Sequence, residues 1–203
     1  MLRASIRSAL FGALLISLSS GTMAAASQAK SQAKSQPKKS TVNARALTIK
    51  DFLKRVDDYV VLHRKLEDTL PKLSKESTPQ QLDTHERALA KLIQEARKDA
   101  KQGDLLTPGM QRFIRTIFRP IFSGKDGLQI KNEIVGKEYK GNVKLAVNGR
   151  YPDEVPVSTM PPQVLAALPK LPEELEYRFI QNSLILLDSH AHIIVDFMDR
   201  AFL

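Results

Sequence analysis

The chain of 203 residues contains no cysteine and no tryptophan, and aromatic residues make up only 6% of it. Without cysteine there is no disulfide, thiolate metal site, cysteine nucleophile or lipid-modified cysteine, so the fold must rest on its hydrophobic core. Several enzyme motifs are also missing, among them G-x-S-x-G, H-E-x-x-H, the P-loop and G-x-G-x-x-G. These absences favour a protein that is not an enzyme and has no cofactor.

A hydrophobic run long enough to span a membrane is missing as well. Residues 9–18 are largely apolar, but a spanning helix needs roughly 20 such residues. Arg3 and Arg7 precede this run, and small residues ending in three alanines follow it up to Ala26. This order predicts that residues 1–26 are a cleavable signal peptide of a periplasmic or secreted protein, with no transmembrane segment left after cleavage. An uncleaved anchor is the alternative.

The excess of positive charge lies near the N-terminus. All 22 Asp and Glu residues lie at or after Asp51, whereas eight of the 31 Lys and Arg residues precede it. Residues 27–40 repeat the pattern S-Q-A-K without a large apolar side chain, so residues 27–45 predict a disordered basic linker. It serves either as a contact for anionic envelope components or as a solubilising spacer. The nearly neutral remainder argues against nucleic acid as a partner.

The first half of the remaining chain has the pattern of three amphipathic helices, with apolar residues recurring every three or four positions. Thr48, Thr78 and Thr107 are predicted as their N-caps, and proline follows the second and third. Gly103 is predicted as the exit of the second helix, and Pro120 as a kink or end in the third. The short polar connector between the first two helices predicts an αα-hairpin.

After Gly127 the apolar period changes to about two, with alternation over residues 143–147 and a turn at Asn148-Gly149. A short helix is predicted over residues 162–168, capped by Thr159 or begun by a proline. Three strands are then predicted over residues 176–180, 184–187 and 192–198. Residues 46–203 therefore predict a single α+β domain, in which the αα-hairpin and third helix pack on a C-terminal antiparallel β-meander.

Several sequence elements carry a family resemblance: T-P at 78–79, A-K-Q-G-D at 100–104, V-N-G-R-Y-P at 147–152, T-M-P-P at 159–162, L-P-K-L-P at 168–172, L-E-Y-R-F at 175–179 and I-V-D-F at 194–197. Over residues 48–200 the chain resembles an uncharacterised family of exported bacterial proteins. This resemblance implies one exported domain and brings no activity with it. The C-terminal strands are also similar to the C-terminal hairpin of some periplasmic nickel/cobalt-homeostasis proteins.

A candidate metal site lies in the last strand region. His190 and His192 stand two positions apart, with Asp188 and Asp196 nearby. Because residues i and i+2 of a strand share a face, the two imidazoles could hold one metal ion, with a carboxylate completing the set of ligands. A turn histidine followed by a solvent-facing histidine is the alternative.

Two further clusters have chemical potential. Asp188, Asp196 and Asp199 could supply a carboxylate pair for a hydrolase, although aspartate is also common in turns. The third helix carries arginines on the side opposite its apolar stripe, namely Arg112, Arg115 and Arg119. This face is predicted either to bind an anion or partner or simply to face solvent. His63 and His85 border apolar stripes and receive no role.

The function predicted from the sequence is non-enzymatic binding or scaffolding at the cell envelope, with anionic lipid, glycan or protein as the partner. The signal peptide, the cationic linker and the arginine face support this hypothesis. The first alternative is a small periplasmic metal-handling protein that uses His190 and His192. The second alternative is a hydrolase with a carboxylate pair.

Overall fold

The computed structural model of the chain describes residues 37–135, 143–155 and 160–202, with side chains from residue 42 onward. Met1–Lys38 and Lys39–Leu203 are separate units, and the fold described here is that of the second. The predicted signal peptide (residues 1–26), residues 27–36 of the predicted linker and Thr159 lie outside the described residues.

The described part of the chain contains five helices and four strands, and the predicted α+β class is confirmed. The helices are α1 (Pro37–Glu67), α2 (Pro79–Ala96), α3 (Pro108–Ser123), α4 (Gly127–Val135) and α5 (Pro162–Ala167). The strands are β1 (Gly149–Arg150), β2 (Leu175–Ile180), β3 (Ser183–Asp188) and β4 (Ile193–Met198). None of the described helices is both long and apolar enough to cross a bilayer.

The first helix begins earlier than its sequence predicted. Thr48 is not an N-cap, because α1 starts at Pro37 and the Thr48 hydroxyl donates to the carbonyl of Ala44 inside the helix. Residues 37–45, predicted as part of the disordered linker, therefore belong to α1. A threonine favours a cap, but good helix formers before it (alanine, lysine and arginine) allow the helix to extend through it.

The N-caps of the next two helices are confirmed. Thr78 forms a reciprocal capping box with Gln81, and the Thr107 side chain accepts from the backbone N–H of Met110. The predicted exit at Gly103 is wrong, since α2 already ends at Ala96. Gly103 does adopt a left-handed conformation (φ 91°), but in the loop between α2 and α3. α3 continues past Pro120 for three more residues, to Ser123.

The sequence pattern missed α4. Two-residue periodicity was predicted after Gly127, but Ile130 and Ile134 are both buried at the four-residue spacing of a helix. Gly127 is required where α4 begins, because a Cβ there would lie 2.2 Å from the carbonyl oxygen of Phe122. The alternating residues 143–147 likewise form no strand. In the described part of this segment, the residues that pair with the sheet are those of β1, which follows the turn residue Asn148 (φ 59°) and is antiparallel to β4.

The antiparallel meander is confirmed, and β1 joins it to give the strand order β1-β4-β3-β2. Both faces of this sheet are covered, so β3 and β4 are buried along their whole length. One face packs on the helices through residues such as Phe52, Ile93 and Phe118. The other face packs with Tyr151 and Val155 of the segment that contains β1.

A buried carboxylate joins the loop between α2 and α3 to this sheet. Asp196 in β4 has no solvent exposure, and its two oxygens accept four backbone N–H groups at 2.8–2.9 Å. These donors belong to Gly103, Leu105, Leu106 and Phe197. Burial raises the pKa of Asp196, while the four N–H donors act in the opposite direction.

Asp196→Asn should destabilise the protein by about 2–4 kcal/mol, because an amide group presents one acceptor where the carboxylate presents two, and leaves buried N–H groups unpaired. Urea unfolding at neutral pH measures this change. Asp58→Asn is a matched control, since the Asp58 side chain is exposed and, within the described part of the chain, pairs with Lys54 one helical turn away. Equal midpoints for the two variants would contradict the role given to Asp196.

Candidate metal centre

The C-terminal end of α1 faces the turn between β3 and β4, and three side chains with metal-binding atoms meet there. His63 and Glu67 stand four residues apart on α1 and therefore share a helix face. His190 lies in the turn. The His63 Nε2 atom is 3.3 Å from Glu67 Oε2, and His190 Nδ1 is 3.0 Å from Glu67 Oε1. One ligand atom from each of the three residues lies within 4.8 Å of the others.

Asp188, the last residue of β3, holds two members of this cluster in place. Its Oδ2 atom accepts from His63 Nδ1 at 2.6 Å and from the Tyr59 hydroxyl at 2.5 Å. Its Oδ1 atom accepts the backbone N–H groups of His190 and Ala191. Because Nδ1 of His63 donates to Asp188, the Nε2 atom of the neutral ring carries a lone pair directed at Glu67. In metal sites, a carboxylate that accepts a hydrogen bond from one ring nitrogen commonly orients the other nitrogen of the histidine toward the metal ion.

The electrostatics of the cluster favour positive charge at its centre. Burial of the ring lowers the pKa of His63, but the hydrogen bond and charge of Asp188, together with Glu67, outweigh it and raise the pKa above its usual value. Glu174 adds another buried carboxylate close by. Burial raises the pKa of Glu174, but the hydrogen bond from Arg64 and the charges of Arg64 and His63 lower it overall. The carboxylates of Asp188 and Glu67 therefore contact His63 directly, and Glu174, which is paired with Arg64, interacts with it electrostatically.

The cluster has an inner part and an open side. His63 is fully buried, whereas the side chains of Glu67 and His190 are 31% and 41% exposed. The His63 and His190 rings lie edge to face with their centroids 5.3 Å apart, so both present nitrogen atoms toward the same carboxylate. Of these three residues, His63 would therefore be the last that an ion from solvent reaches.

The predicted set of His190, His192, Asp188 and Asp196 is not brought together. His190 and His192 lie in the turn rather than in a strand, and His192 has a left-handed backbone (φ 51°), so the rule that i and i+2 share a face does not apply. His192 packs instead against the ring of Tyr151. Asp188 accepts a hydrogen bond from His63 Nδ1, and Asp196 accepts backbone N–H groups of the α2–α3 loop. Of the four, His190 alone supplies a ligand atom to the cluster described above.

The predicted carboxylate pair also has no shared contact among the described residues. Asp188 and Asp196 are both fully buried, and each is engaged by four donors of its own. Asp199 is exposed and accepts from Gln102 and Ser183. Because the three side chains have different partners, the geometry gives no support to the hydrolase alternative.

The arginine face of α3 is divided between structural and solvent-facing roles. The Arg115 guanidinium donates to the backbone carbonyls of Asp199 and Arg200, so it attaches α3 to the chain after β4. Arg112 and Arg119 are exposed. Binding of an anion or partner by this face stays a prediction.

The sequence reasoning missed three residues near this centre: His63, Glu67 and His85. The spacing H-x-x-x-E at 63–67 was a usable signal, because a helix places both side chains on one face. This spacing was not assigned to a site because His63 also borders the apolar stripe of α1, where a lone histidine is an ordinary residue at the edge of the core. What makes it a ligand candidate is Asp188, which lies 125 positions away.

The raised pKa of His63 predicts a pH-dependent stability of the ion-free protein. A histidine whose pKa is higher in the folded state contributes its full stabilisation below a pH of about 6.5, where an unperturbed histidine titrates, and loses it as the pH rises through the folded-state pKa. The difference in unfolding free energy between wild type and His63→Gln should therefore be largest in mild acid and shrink toward alkaline pH.

Urea unfolding in the presence of a chelator, repeated across that pH range, measures this difference. NMR titration of the His63 ring gives its pKa directly and serves as the independent check. A difference that is constant with pH, or a ring that titrates below the usual range, would contradict the prediction.

No protein-family model, no curated protein and no solved structure matches this chain.

Proposed function

We propose that this protein binds a divalent transition-metal ion through His63, Glu67 and His190. The observation that carries the proposal is the convergence of two imidazoles on one carboxylate, with a buried aspartate fixing the inner histidine. The buried His63 and the partly exposed His190 both contact Glu67, and a metal ion could bind the same nitrogen and oxygen atoms in place of these contacts. The proposal retains the non-enzymatic binding role and the metal-handling alternative, but with a different ligand set.

The donor atoms indicate the class of ion. Two imidazole nitrogens and one carboxylate oxygen suit Zn²⁺, Co²⁺, Ni²⁺ or Cu²⁺, whereas Ca²⁺ and Mg²⁺ prefer sites made wholly of oxygen. The ordinary order of affinities places Cu²⁺ above the others, and geometry and availability decide which ion is bound. The absence of cysteine restricts the site to these harder ligands.

Ion binding and protonation compete for the same nitrogen atoms. In the ion-free state burial of the ring lowers the pKa of His63, but the hydrogen bonds and charges of Asp188 and Glu67 stabilise the protonated ring and raise this pKa overall. A divalent ion would supply that positive charge and leave both histidines neutral, so binding would release protons and weaken in acid. Neutral His63 keeps its Nδ1–H on Asp188, which preserves the orientation of the ring.

The place of action belongs to the same proposal. The signal-peptide pattern of residues 1–26 supports a periplasmic or secreted protein, and a binding site for metal would then serve to take up, buffer or deliver ions outside the cytoplasm. The basic residues 27–40 support a contact with anionic envelope components as a second feature of the same protein.

Calorimetric titration of the purified, chelator-treated protein with each of the four ions tests the proposal. We expect one equivalent of at least one ion to bind near neutral pH with release of protons. Glu67→Ala and His190→Ala should each weaken binding by at least about tenfold, since even residues that only support a ligand change metal affinity by 10–100-fold.

His192→Ala is the matched control, because His192 is a neighbour of His190 in the same turn but contacts Tyr151 rather than the cluster. Glu67 and His190 are partly exposed, so their variants are expected to fold, which thermal melts of the ion-free proteins verify. Absence of binding by any of the ions, or equal affinity for wild type and both variants, would overturn the proposal.

A further inference from the structure

A third histidine borders the cluster from α2. His85 lies on α2, and its Nε2 atom is 3.8 Å from Glu67 Oε1, the same oxygen that contacts His190. The Glu67 carboxylate is thus bordered by three imidazoles, at 3.3, 3.0 and 3.8 Å. They come from α1, from the β3–β4 turn and from α2.

His85 lies beside the Glu67 carboxylate but makes no close contact with it. Its side chain is only 10% exposed, so most of its surface is already removed from water. Among the described residues, Glu67 is the one ionisable partner recorded for it, and that contact is longer than a hydrogen bond. An imidazole whose nitrogens make no hydrogen bond among the described residues retains a nitrogen lone pair that can bind an ion.

We infer that His85 is the fourth ligand of the metal centre, which completes a closed set of three histidines and one glutamate. The inference rests on the proposed metal site and specifies its coordination. In a tetrahedral Zn²⁺ or Co²⁺ site, metal–nitrogen distances are about 2.0–2.1 Å, so ligand atoms lie roughly 3.3 Å apart. The contacts of Glu67 with the three rings, at 3.0–3.8 Å, are close to that spacing. The compact group of ligand atoms consists of His63, Glu67 and His190, so His85 must move toward the ion to complete the set.

The coordination number decides what kind of metal site this is. A centre with three protein ligands keeps a position for water or substrate and is typical of catalytic zinc, whereas four protein ligands close the centre. With His85 bound, the site holds its ion without a reactive water, which is suited to storing or carrying the ion rather than to hydrolysis.

A fourth ligand on α2 also means that the ion would be bound by two helices. His63 and Glu67 belong to α1 and His85 to α2, so the ion would connect the two helices across the connector that joins them. His85 also lines an open groove of about 410 Å³ beside this connector, together with Leu70, Leu73, Gln81, Thr84 and Ala88. The groove gives a hydrated ion a path from solvent to the His85 ring.

Visible absorption of the Co²⁺-loaded protein tests the inference, because four-coordinate Co²⁺ absorbs much more strongly than five- or six-coordinate Co²⁺. We expect the wild-type protein to show the intense spectrum of a four-coordinate ion. His85→Ala should still bind Co²⁺, with affinity reduced about 10–100-fold, and its spectrum should become weak as water fills the vacated position.

His192→Ala is again the control and should keep both the affinity and the intense spectrum. His85→Gln serves as a second variant that preserves side-chain bulk next to the groove, and ion-free melts confirm that both variants fold. If Co²⁺ binds equally tightly and with the same spectrum in wild type, His85→Ala and His85→Gln, the fourth ligand is refuted while the three-residue site stands. If the wild-type protein binds no Co²⁺ or other ion, the proposed function itself fails.

Discussion

The candidate centre depends on one buried carboxylate, that of Asp188. It has no solvent exposure and accepts four hydrogen bonds, two from side chains of α1 and two from the backbone of the β3–β4 turn. A buried charge is costly unless donors surround it, so the helix and the turn must both be correctly placed for this site to form. The same requirement brings His63 of α1 next to His190 of the turn. The meeting of His63 and His190 is therefore a consequence of this one interaction.

Asp196 connects the α2–α3 loop to the sheet by hydrogen bonds, as Asp188 connects α1 to it. It gathers the N–H groups of residues 103, 105 and 106, so a loop without regular structure has its backbone groups paired at the sheet. The two central strands are apolar except for Ser183 and these two aspartates, and the aspartates anchor the sheet to the helical layer at two points. The protein has no disulfide to restrict the arrangement, and these buried carboxylates provide specific connections that apolar contacts alone do not.

Glu67 relates this scaffold to its proposed ligand. It lies at the end of α1, partly exposed, where three imidazoles approach it from three separate elements. In the ion-free protein the charge balance between carboxylates and imidazoles depends on protons, which makes the local stability depend on pH. An ion bound by the same nitrogen and oxygen atoms would supply the positive charge that protons supply in its absence. Stability of the scaffold and occupancy of the site are thereby coupled through shared atoms.

The sequence by itself determined the features that depend on neighbours in the chain. The caps at Thr78 and Thr107 and the C-terminal meander follow from local hydrogen bonding and from short-range periodicity, and the structure confirms them. Prediction from the sequence was wrong at α4 and at the start of α1, because a short or exposed helix has a weak apolar pattern. The sequence also placed the metal ligands on His190 and His192, because it assumed a strand where the chain turns. Only the tertiary structure decided that His190 meets residues more than a hundred positions earlier, since that pairing is set by how α1 packs on the sheet and by the buried charge of Asp188.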